Sequence, residues 1–282
     1  MSTPLPFEKT CTTPFGRFQI KVDPMNIHVG GTKSCVTIAI SNEKTELGWL
    51  GTEEGSCTLD YRVIQGADTI RMLDLAFSLL RKYFPTRNIV TLFDDSGAYI
   101  TDRTGKRIKV RFSSAYCMLY GKTWYEDKFG ATMIDTDDYI AYRHEVDNNF
   151  DDPSKKPASF DFGSVNDELQ PLYQTSATWR EFMDKIKRHY PGKLKYKIMA
   201  EWHLKAFYKV IKRTPSPFWK IDITNRPIYE CNPLEGGSRR KRHLRTRNAR
   251  STFPTYYPLE PYYENEPTNW GLPISPKNRK HK

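Results

Sequence analysis

The chain has 282 residues and a formal net charge of +11, and 38% of its residues are hydrophobic. This composition is sufficient for the hydrophobic core of one large domain or of two small ones. The sequence has no apolar run of about 18 residues, which excludes a membrane-spanning helix. Its first residues lack the charged and then apolar pattern of a secretory signal, so we expect a chain that is not secreted.

The five cysteines predict free thiols rather than a metal site. They are far apart, and no two of them have the CxxC spacing of a zinc ligand pair. They are Cys11, Cys35, Cys57, Cys117 and Cys231. This pattern is typical of reduced thiols in an intracellular chain or particle.

The N-terminal quarter has the alternation that is typical of β-strands. Residues 1–15 are rich in Pro and Thr and are expected to form an irregular arm. After this arm, apolar residues at every second position predict two to four antiparallel strands before residue 65. The candidate strands are residues 18–22, 35–40, 47–50 and 59–64.

A helix with one apolar face follows these strands. Asp68 is a good N-terminal cap, and Pro85 ends the segment. Between them, apolar side chains recur at helical spacing, at Ile70, Leu73, Phe77, Leu80 and Phe84. Residues 68–84 are therefore predicted to form a helix that packs on a core.

The next segment combines strands with a second helix. Residues 88–93 are an apolar strand, and residues 98–101 and 107–112 can pair as a hairpin. Ser113 and Ser114 can begin a helix that Gly130 ends, because serine caps a helix N-terminus and glycine a C-terminus.

Residues 132–134 and 139–142 are candidate closing strands. A strand that runs directly into an amphipathic helix is typical of an α/β layer. The predicted fold class is therefore α/β or α+β, with a central mixed sheet and flanking helices.

The second half of the chain is predicted to be mainly helical after a polar connection. Residues 135–168 contain ten Asp/Glu against three Lys/Arg, so residues 143–175 are interpreted as an acidic linker. Helices are predicted over residues 176–190 and 195–212, as a helical hairpin within a segment that spans residues 176–231. A further strand is predicted over residues 218–223.

Residues 232–282 are predicted to form an extended tail. Residues 239–282 carry eleven Lys/Arg and three Glu, and thus +8 of the net charge. The cations suited to phosphate or carboxylate groups are Arg239, Arg240, Lys241, Arg242, Arg245, Arg247 and Arg250. The aromatic residues suited to a protein groove are Tyr256, Tyr257, Tyr262, Tyr263 and Trp270. The tail therefore predicts contacts with protein neighbours, with nucleic acid or with the nuclear-import machinery.

The predicted second helix ends in the sequence WYEDKFGA, residues 124–131. With the preceding order of strands and helix, this ending resembles the GNAT acetyltransferase superfamily over residues 16–142. The resemblance implies acetyl-coenzyme A as cofactor and Tyr125 as the acid that protonates the departing thiolate. It also implies that Gln65, Gly66 and Ala67 form the turn that binds the cofactor pyrophosphate at a helix N-terminus.

This turn departs from the family pattern. It has one glycine, and Asp68 follows it directly. A carboxylate at this position repels the phosphate oxygens of the cofactor. We therefore expect a GNAT-like core that binds no cofactor, and the possibility of enzymatic activity stays open.

The segment GKTWYE and the tail also resemble uncharacterised proteins of large DNA viruses. Together these features predict a non-enzymatic structural component of a large assembly, in particular a minor capsid or virion protein anchored by its extended termini. Such a chain would be located in the virion or in the host cytoplasm or nucleus. Two alternatives remain: an active GNAT-type N-acetyltransferase that uses Tyr125, and a nucleic-acid-binding protein that uses the Arg-rich tail.

Overall fold

A computed structural model describes residues 5–51, 56–60, 67–101, 105, 107–192, 194–212 and 216–229. Within these residues the chain has a mixed α/β fold in which helices flank a large mixed sheet, which confirms the predicted fold class at this level. The predicted strand over residues 59–64 lies largely outside the described residues, and the predicted tail over residues 232–282 lies wholly outside them.

The strands of the described chain are β1 (Phe7–Thr13), β2 (Gly16–Val22), β3 (Asn26–Gly30), β4 (Ser34–Ile40), β5 (Thr45–Leu50), β6 (Ile89–Phe93), β7 (Gly97–Thr101), β8 (Arg107–Arg111), β9 (Thr132–Met133) and β10 (Phe218–Asp222). Eight of them form one sheet in the order β1-β2-β3-β4-β5-β6-β10-β9, and β7 pairs with β8 in a separate ribbon. Neighbouring strands of the main sheet are antiparallel except β5 and β6, which are parallel. The predicted hairpin and the strands predicted near residues 18, 35, 47, 88, 132 and 218 are confirmed.

The α-helices of the described chain are α1 (Ala67–Tyr83), α2 (Phe112–Tyr120), α3 (Trp124–Phe129), α4 (Thr136–Asn149), α5 (Asn166–Gln174), α6 (Trp179–His189), α7 (Leu194–Met199) and α8 (His203–Val210). Helix α1 confirms the helix predicted over residues 68–84. The single helix predicted after Ser113 is divided into α2 and α3, because Gly121 ends α2 in the left-handed conformation with φ 71°. The single helix predicted over residues 195–212 is likewise divided into α7 and α8.

The predicted irregular arm over residues 1–15 is wrong from Phe7 onward. Strand β1 pairs with β2 along its whole length, from Phe7 opposite Val22 to Thr13 opposite Gly16. Cys11 and Thr13 are buried on the core side of this strand. Threonine has a high β-propensity, so a Thr-rich sequence next to a strand is well suited to become its partner.

The predicted acidic linker over residues 143–175 is also wrong, as is the predicted strand over residues 139–142. Both overlap α4, whose N-terminus is capped by the carboxylate of Asp135. The rest of the linker contains α5 and two short 3-10 helices. Its aromatic residues Phe150, Phe160 and Phe162 are buried, and their burial outweighs the polar composition around them.

The main sheet has one buried face and one open face. A continuous buried row crosses it through paired residues, namely Val22, Ile27, Ile38, Leu47, Leu92 and Trp219. Helix α1 packs against β3 and β4 on this side, and α4 contacts Trp219 through Tyr142, with ring centroids 6.3 Å apart. Residues that alternate with the buried row, such as Lys21, Ala39 and Asp222, are exposed. The strands are therefore amphipathic, as is typical of a sheet that is covered on one side.

The helical half of the chain is held by a cluster of aromatic side chains. Its members are Phe160, Phe162, Tyr173, Trp179, Phe182 and Trp202. The rings of Phe162 and Trp202 meet edge to face, 5.1 Å apart. This cluster belongs to the same hydrophobic core as the buried face of the sheet, so both halves of the described chain share one core.

His203, at the start of α8, lies in this core without full hydrogen bonding. Its side chain is 0% exposed, Nδ1 lies 3.1 Å from the Met199 carbonyl oxygen, and Nε2 has no partner among the described residues. Burial lowers the pKa of His203 from 6.5 to about 4. The folded protein therefore keeps this imidazole neutral at a pH where the unfolded chain protonates it.

We expect the free energy of unfolding to fall by about 3 kcal/mol as the pH decreases from 6.5 to 4, because the unfolded state binds the proton first. His203→Gln should flatten this part of the pH profile, measured by urea denaturation at each pH. The exposed His189→Gln is the control and should keep the slope of the wild type. Equal slopes in all three proteins would contradict the assignment to His203.

A disulfide joins the beginning of β4 to the segment that follows β5. Cys35 and Cys57 are bonded with Cα atoms 5.5 Å apart, and Cys11 is also disulfide-bonded. The prediction of reduced thiols is therefore wrong for these residues, whereas Cys117 is free and buried. The backbone N–H of Lys33 donates to the Ser56 carbonyl oxygen and helps bring the two segments together. Because disulfides are typical of oxidising compartments, cysteine usage gives no support for an intracellular location.

Replacing Cys35 and Cys57 together by Ala should lower the free energy of unfolding by about 3 kcal/mol, because the 22-residue separation defines a medium-sized closed loop. Urea denaturation under non-reducing conditions measures the change. A digest of the unreduced wild type should contain the linked peptide. Recovery of both residues as alkylated thiols from the unreduced protein would contradict the bond.

Candidate functional site

Tyr125, the candidate general acid, lies in α3 and faces the interior. It is 4% exposed, and its ring meets that of Trp124 edge to face. Burial, and to a lesser extent the charge of Asp94, raises the pKa of Tyr125 far above its usual range. The phenol therefore stays protonated at neutral pH.

Asp94 directly follows β6 and organises the turn into β7. Its carboxylate accepts hydrogen bonds from both the backbone N–H and the hydroxyl of Ser96. Its own backbone N–H donates to the Pro217 carbonyl oxygen, 2.7 Å away. Burial raises the pKa of Asp94, and the Ser96 bonds oppose that shift. These contacts explain Asp94 as a turn-forming residue next to Tyr125.

Glu126 is the centre of a buried polar network that joins α3 to α4. It closes the capping box of α3, in which the Thr123 N–H donates to its carboxylate at 2.6 Å. The hydroxyls of Tyr139 and Tyr142 and the guanidinium of Arg143 donate to the same carboxylate, at 3.3 to 3.4 Å. Four donors around one buried carboxylate satisfy its charge without solvent.

Cys117 and Arg143 extend this network to α2. The Tyr142 hydroxyl lies 3.1 Å from Cys117 Sγ, and Arg143 donates to the Gly121 carbonyl oxygen. Burial raises the pKa of Cys117 to about 12. A thiol with this pKa is not a nucleophile at neutral pH, and its contact with Tyr142 joins α2 to α4.

The N-terminal end of α1 is the predicted pyrophosphate position. Gln65 and Gly66 lie outside the described residues, and Ala67 is the first residue of α1. Asp68 lies in the first turn, where its carboxylate is 3.3 Å from the Arg71 guanidinium. Since a helix N-terminus favours one anion, Asp68 already occupies the electrostatic role that a phosphate would take.

The parallel strands β5 and β6 define the place where an α/β sheet could bind a ligand. They are connected through α1 and are paired only at Glu46 with Thr91 and at Leu47 with Leu92. Among the described residues the two strands pair at no further position toward their carboxyl ends. Ligands of open α/β sheets bind at such carboxyl ends, so this is the one position at which the expected cofactor site coincides with the topology.

The remaining predicted site residues belong to the tail. All cations from Arg239 to Arg250 and all aromatic residues from Tyr256 to Trp270 lie outside the described residues. Within the described residues, no group of three or more His, Cys, Asp or Glu side chains could hold a metal ion. None of the described helices is long and apolar enough to cross a membrane.

Sequence reasoning missed an apolar row on the open face of the sheet. Phe93 of β6 pairs with Phe218 of β10, and Ile134 lies beside Phe218 through a backbone hydrogen bond of 3.1 Å. Phe218 is 52% exposed and Ile134 is 46% exposed. The signal was present in the sequence FWKID, because Phe218 must face outward when the alternating Trp219 and Ile221 face the core.

Glu126→Ala should lower the free energy of unfolding by about 3 kcal/mol, because it removes the buried acceptor that the Thr123 N–H, two tyrosine hydroxyls and the partly buried Arg143 share. Thermal and urea denaturation measure the effect. Asp137→Ala removes an exposed carboxylate from the first turn of α4 and serves as the control, with an expected change below about 0.5 kcal/mol. Equal effects would contradict the role of Glu126.

Comparison of the chain with protein-family models, with curated proteins and with solved structures finds no match. The surfaces and buried groups of this chain are therefore the only basis for a proposed function. The features that bear on it are the buried Tyr125, the carboxylate at the beginning of α1, and the exposed apolar row that contains Phe218.

Proposed function

We propose that the chain is a non-enzymatic structural component of a large assembly, in particular a minor capsid or virion protein of a large DNA virus, anchored by its C-terminal tail. The observation that carries this proposal is the open face of the main sheet with its apolar row of Phe93, Phe218 and Ile134. A sheet face of this kind is suited to a flat contact with a neighbouring protein subunit.

The row has the geometry of a contact surface. The rings of Phe93 and Phe218 are tilted with centroids 5.2 Å apart, so they form one continuous apolar strip. The strip reaches the edge of the sheet, where the two-residue strand β9 pairs with Trp219 and Lys220 of β10. Contiguous exposed apolar groups with a polar surround are typical of interaction sites.

Covering the apolar row with a partner protein would contribute a modest binding free energy. Full burial of a Phe or Ile side chain contributes about 1.5–3 kcal/mol, so covering the exposed halves of Phe218 and Ile134 would contribute on the order of 2 kcal/mol. This amount is too small for a stable complex by itself. It suits one contact among several in an assembly in which each subunit has many neighbours.

The surroundings of the two residues that would matter most for acetyl transfer favour the structural role. Tyr125 is enclosed by the core, and the carboxylate of Asp68 opposes a pyrophosphate at α1. Acetyl-coenzyme A would have to approach both residues. The role of the tail as an anchor to protein neighbours or nucleic acid is part of the same proposal and depends on its sequence alone.

An active GNAT-type N-acetyltransferase is the second candidate. It is supported by the parallel pairing of β5 with β6, which is limited to two positions and whose connection runs through α1. In that case Tyr125 would be the general acid, and its raised pKa would keep the phenol protonated until the thiolate leaves.

The assembly proposal is tested with Phe218→Glu combined with Ile134→Glu, expressed in the source cells as the full chain. Both side chains are half exposed, so the variant should fold with an unchanged melting temperature. We expect its copy number in purified particles, measured by quantitative mass spectrometry, to fall at least about tenfold, because two buried charges at an interface cost several kcal/mol.

Met25→Glu is the matched control, because Met25 is an exposed apolar residue at the turn between β2 and β3, away from the row. It should be incorporated like the wild type. Absence of the wild-type chain from particles would contradict the structural role. Calorimetric titration with acetyl-coenzyme A separates the second candidate, since micromolar binding that Asp68→Lys alters would favour the enzyme.

A further inference from the structure

One face of the two-stranded ribbon formed by β7 and β8 packs against the core of the protein. Five registered pairs join the two strands, from Gly97 opposite Arg111 to Thr101 opposite Arg107. Val110 is buried against the core, and both strands contact α2. Gly97 is required at this place, because a Cβ atom there would lie 2.8 Å from the Val110 carbonyl oxygen.

The base of the ribbon is held by the buried turn that contains Asp94. The Ser96 carbonyl oxygen accepts a hydrogen bond of 3.2 Å from the Phe112 N–H, directly after β8. Ser96 itself is tied to the Asp94 carboxylate. The end of the ribbon at which β7 begins and β8 ends is therefore fixed, and its outer face is presented by a supported scaffold.

The outer face is basic and carries one aromatic ring. Its side chains are all exposed, namely Tyr99, Thr101, Arg107, Lys109 and Arg111. Three cations at every second position of one strand are about 7 Å apart. From Gly97 to Arg111 the sequence contains five Lys/Arg and one Asp, a net charge of +4.

The cations of this face are only weakly neutralised within the protein. Lys109 lies 3.3 Å from the Asp95 carboxylate, but both side chains are exposed, so this pair contributes little. The Arg107 guanidinium lies 5.0 Å from the centre of the Tyr99 ring. Tyr99 is 59% exposed, which leaves ring surface available to a partner.

We propose that this face of the β7–β8 ribbon binds single-stranded nucleic acid. A row of cations at regular spacing matches the repeating phosphates of a nucleic-acid strand and releases counterions on binding. The exposed Tyr99 ring beside this row provides a stacking surface for an unpaired base. The site lies in the folded body and is separate from the Arg-rich tail.

The test measures binding of the full-length chain to a short fluorescent oligonucleotide of mixed sequence, as a single strand and as a duplex, at several salt concentrations. The ribbon variant combines Arg107→Gln, Lys109→Gln and Arg111→Gln. We expect it to lose about tenfold in affinity and to lower the slope of log K against log salt by about 2, since each phosphate contact on a single strand contributes about 0.7. Tyr99→Val should weaken single-strand binding about tenfold without changing that slope.

The control combines Lys21→Gln, Lys44→Gln and Lys82→Gln, which removes the same charge from exposed positions on other elements. It should bind like the wild type, and all variants should keep the melting temperature of the wild type. Equal losses in the ribbon and control variants, or no loss in either, would overturn the proposal. Two results would overturn the assignment of single-stranded nucleic acid as the partner. One is equal affinity for duplex and single strand with no effect of Tyr99→Val, and the other is equally tight binding of polyglutamate.

Discussion

Burial of one face of the eight-stranded sheet is the constraint on which the rest of this structure depends. Paired apolar residues form a continuous row from Val22 on β2 to Trp219 on β10, and helices α1 and α4 pack on this side. Strand residues alternate between the two faces, so the same pairing that buries this row exposes the other set. The open face is therefore a direct consequence of the packing.

Because only one face of the sheet is packed, the titratable groups near Tyr125 are buried, whereas an apolar row and a basic row are exposed. Around Tyr125 the core encloses the groups that could transfer protons, and Glu126 is saturated by donors from α3 and α4. Phe218 and the cations of the β7–β8 ribbon instead lie at the surface, without comparable partners among the described residues. The carboxylate of Glu126 is therefore satisfied inside the protein, whereas the apolar and basic rows lie at its surface.

Polar anchors decide where the chain changes direction. Asp94 holds the turn from β6 into the ribbon, and the Arg226 guanidinium binds the buried carboxylate of Asp74 on α1 at 2.7 Å. Arg226 also donates to the Lys128 carbonyl oxygen in the last turn of α3, so the segment after β10 connects two helices. The Cys35–Cys57 bond acts in the same way, because it fixes a segment that has few apolar side chains of its own.

The sequence by itself determined the elements with a strong period. The stripe from Ile70 to Phe84 predicted α1, and alternation predicted β2 and β8, because burial on one face imposes a spacing that can be read locally. Two elements depend on tertiary contacts that the composition does not indicate. The Thr-rich β1 forms by pairing with β2, and the acidic segment before α5 folds because Phe160 and Phe162 are buried. Tertiary structure also decided the disulfide and the surroundings of Tyr125, since these depend on residues far apart in the chain whose meeting no local pattern records.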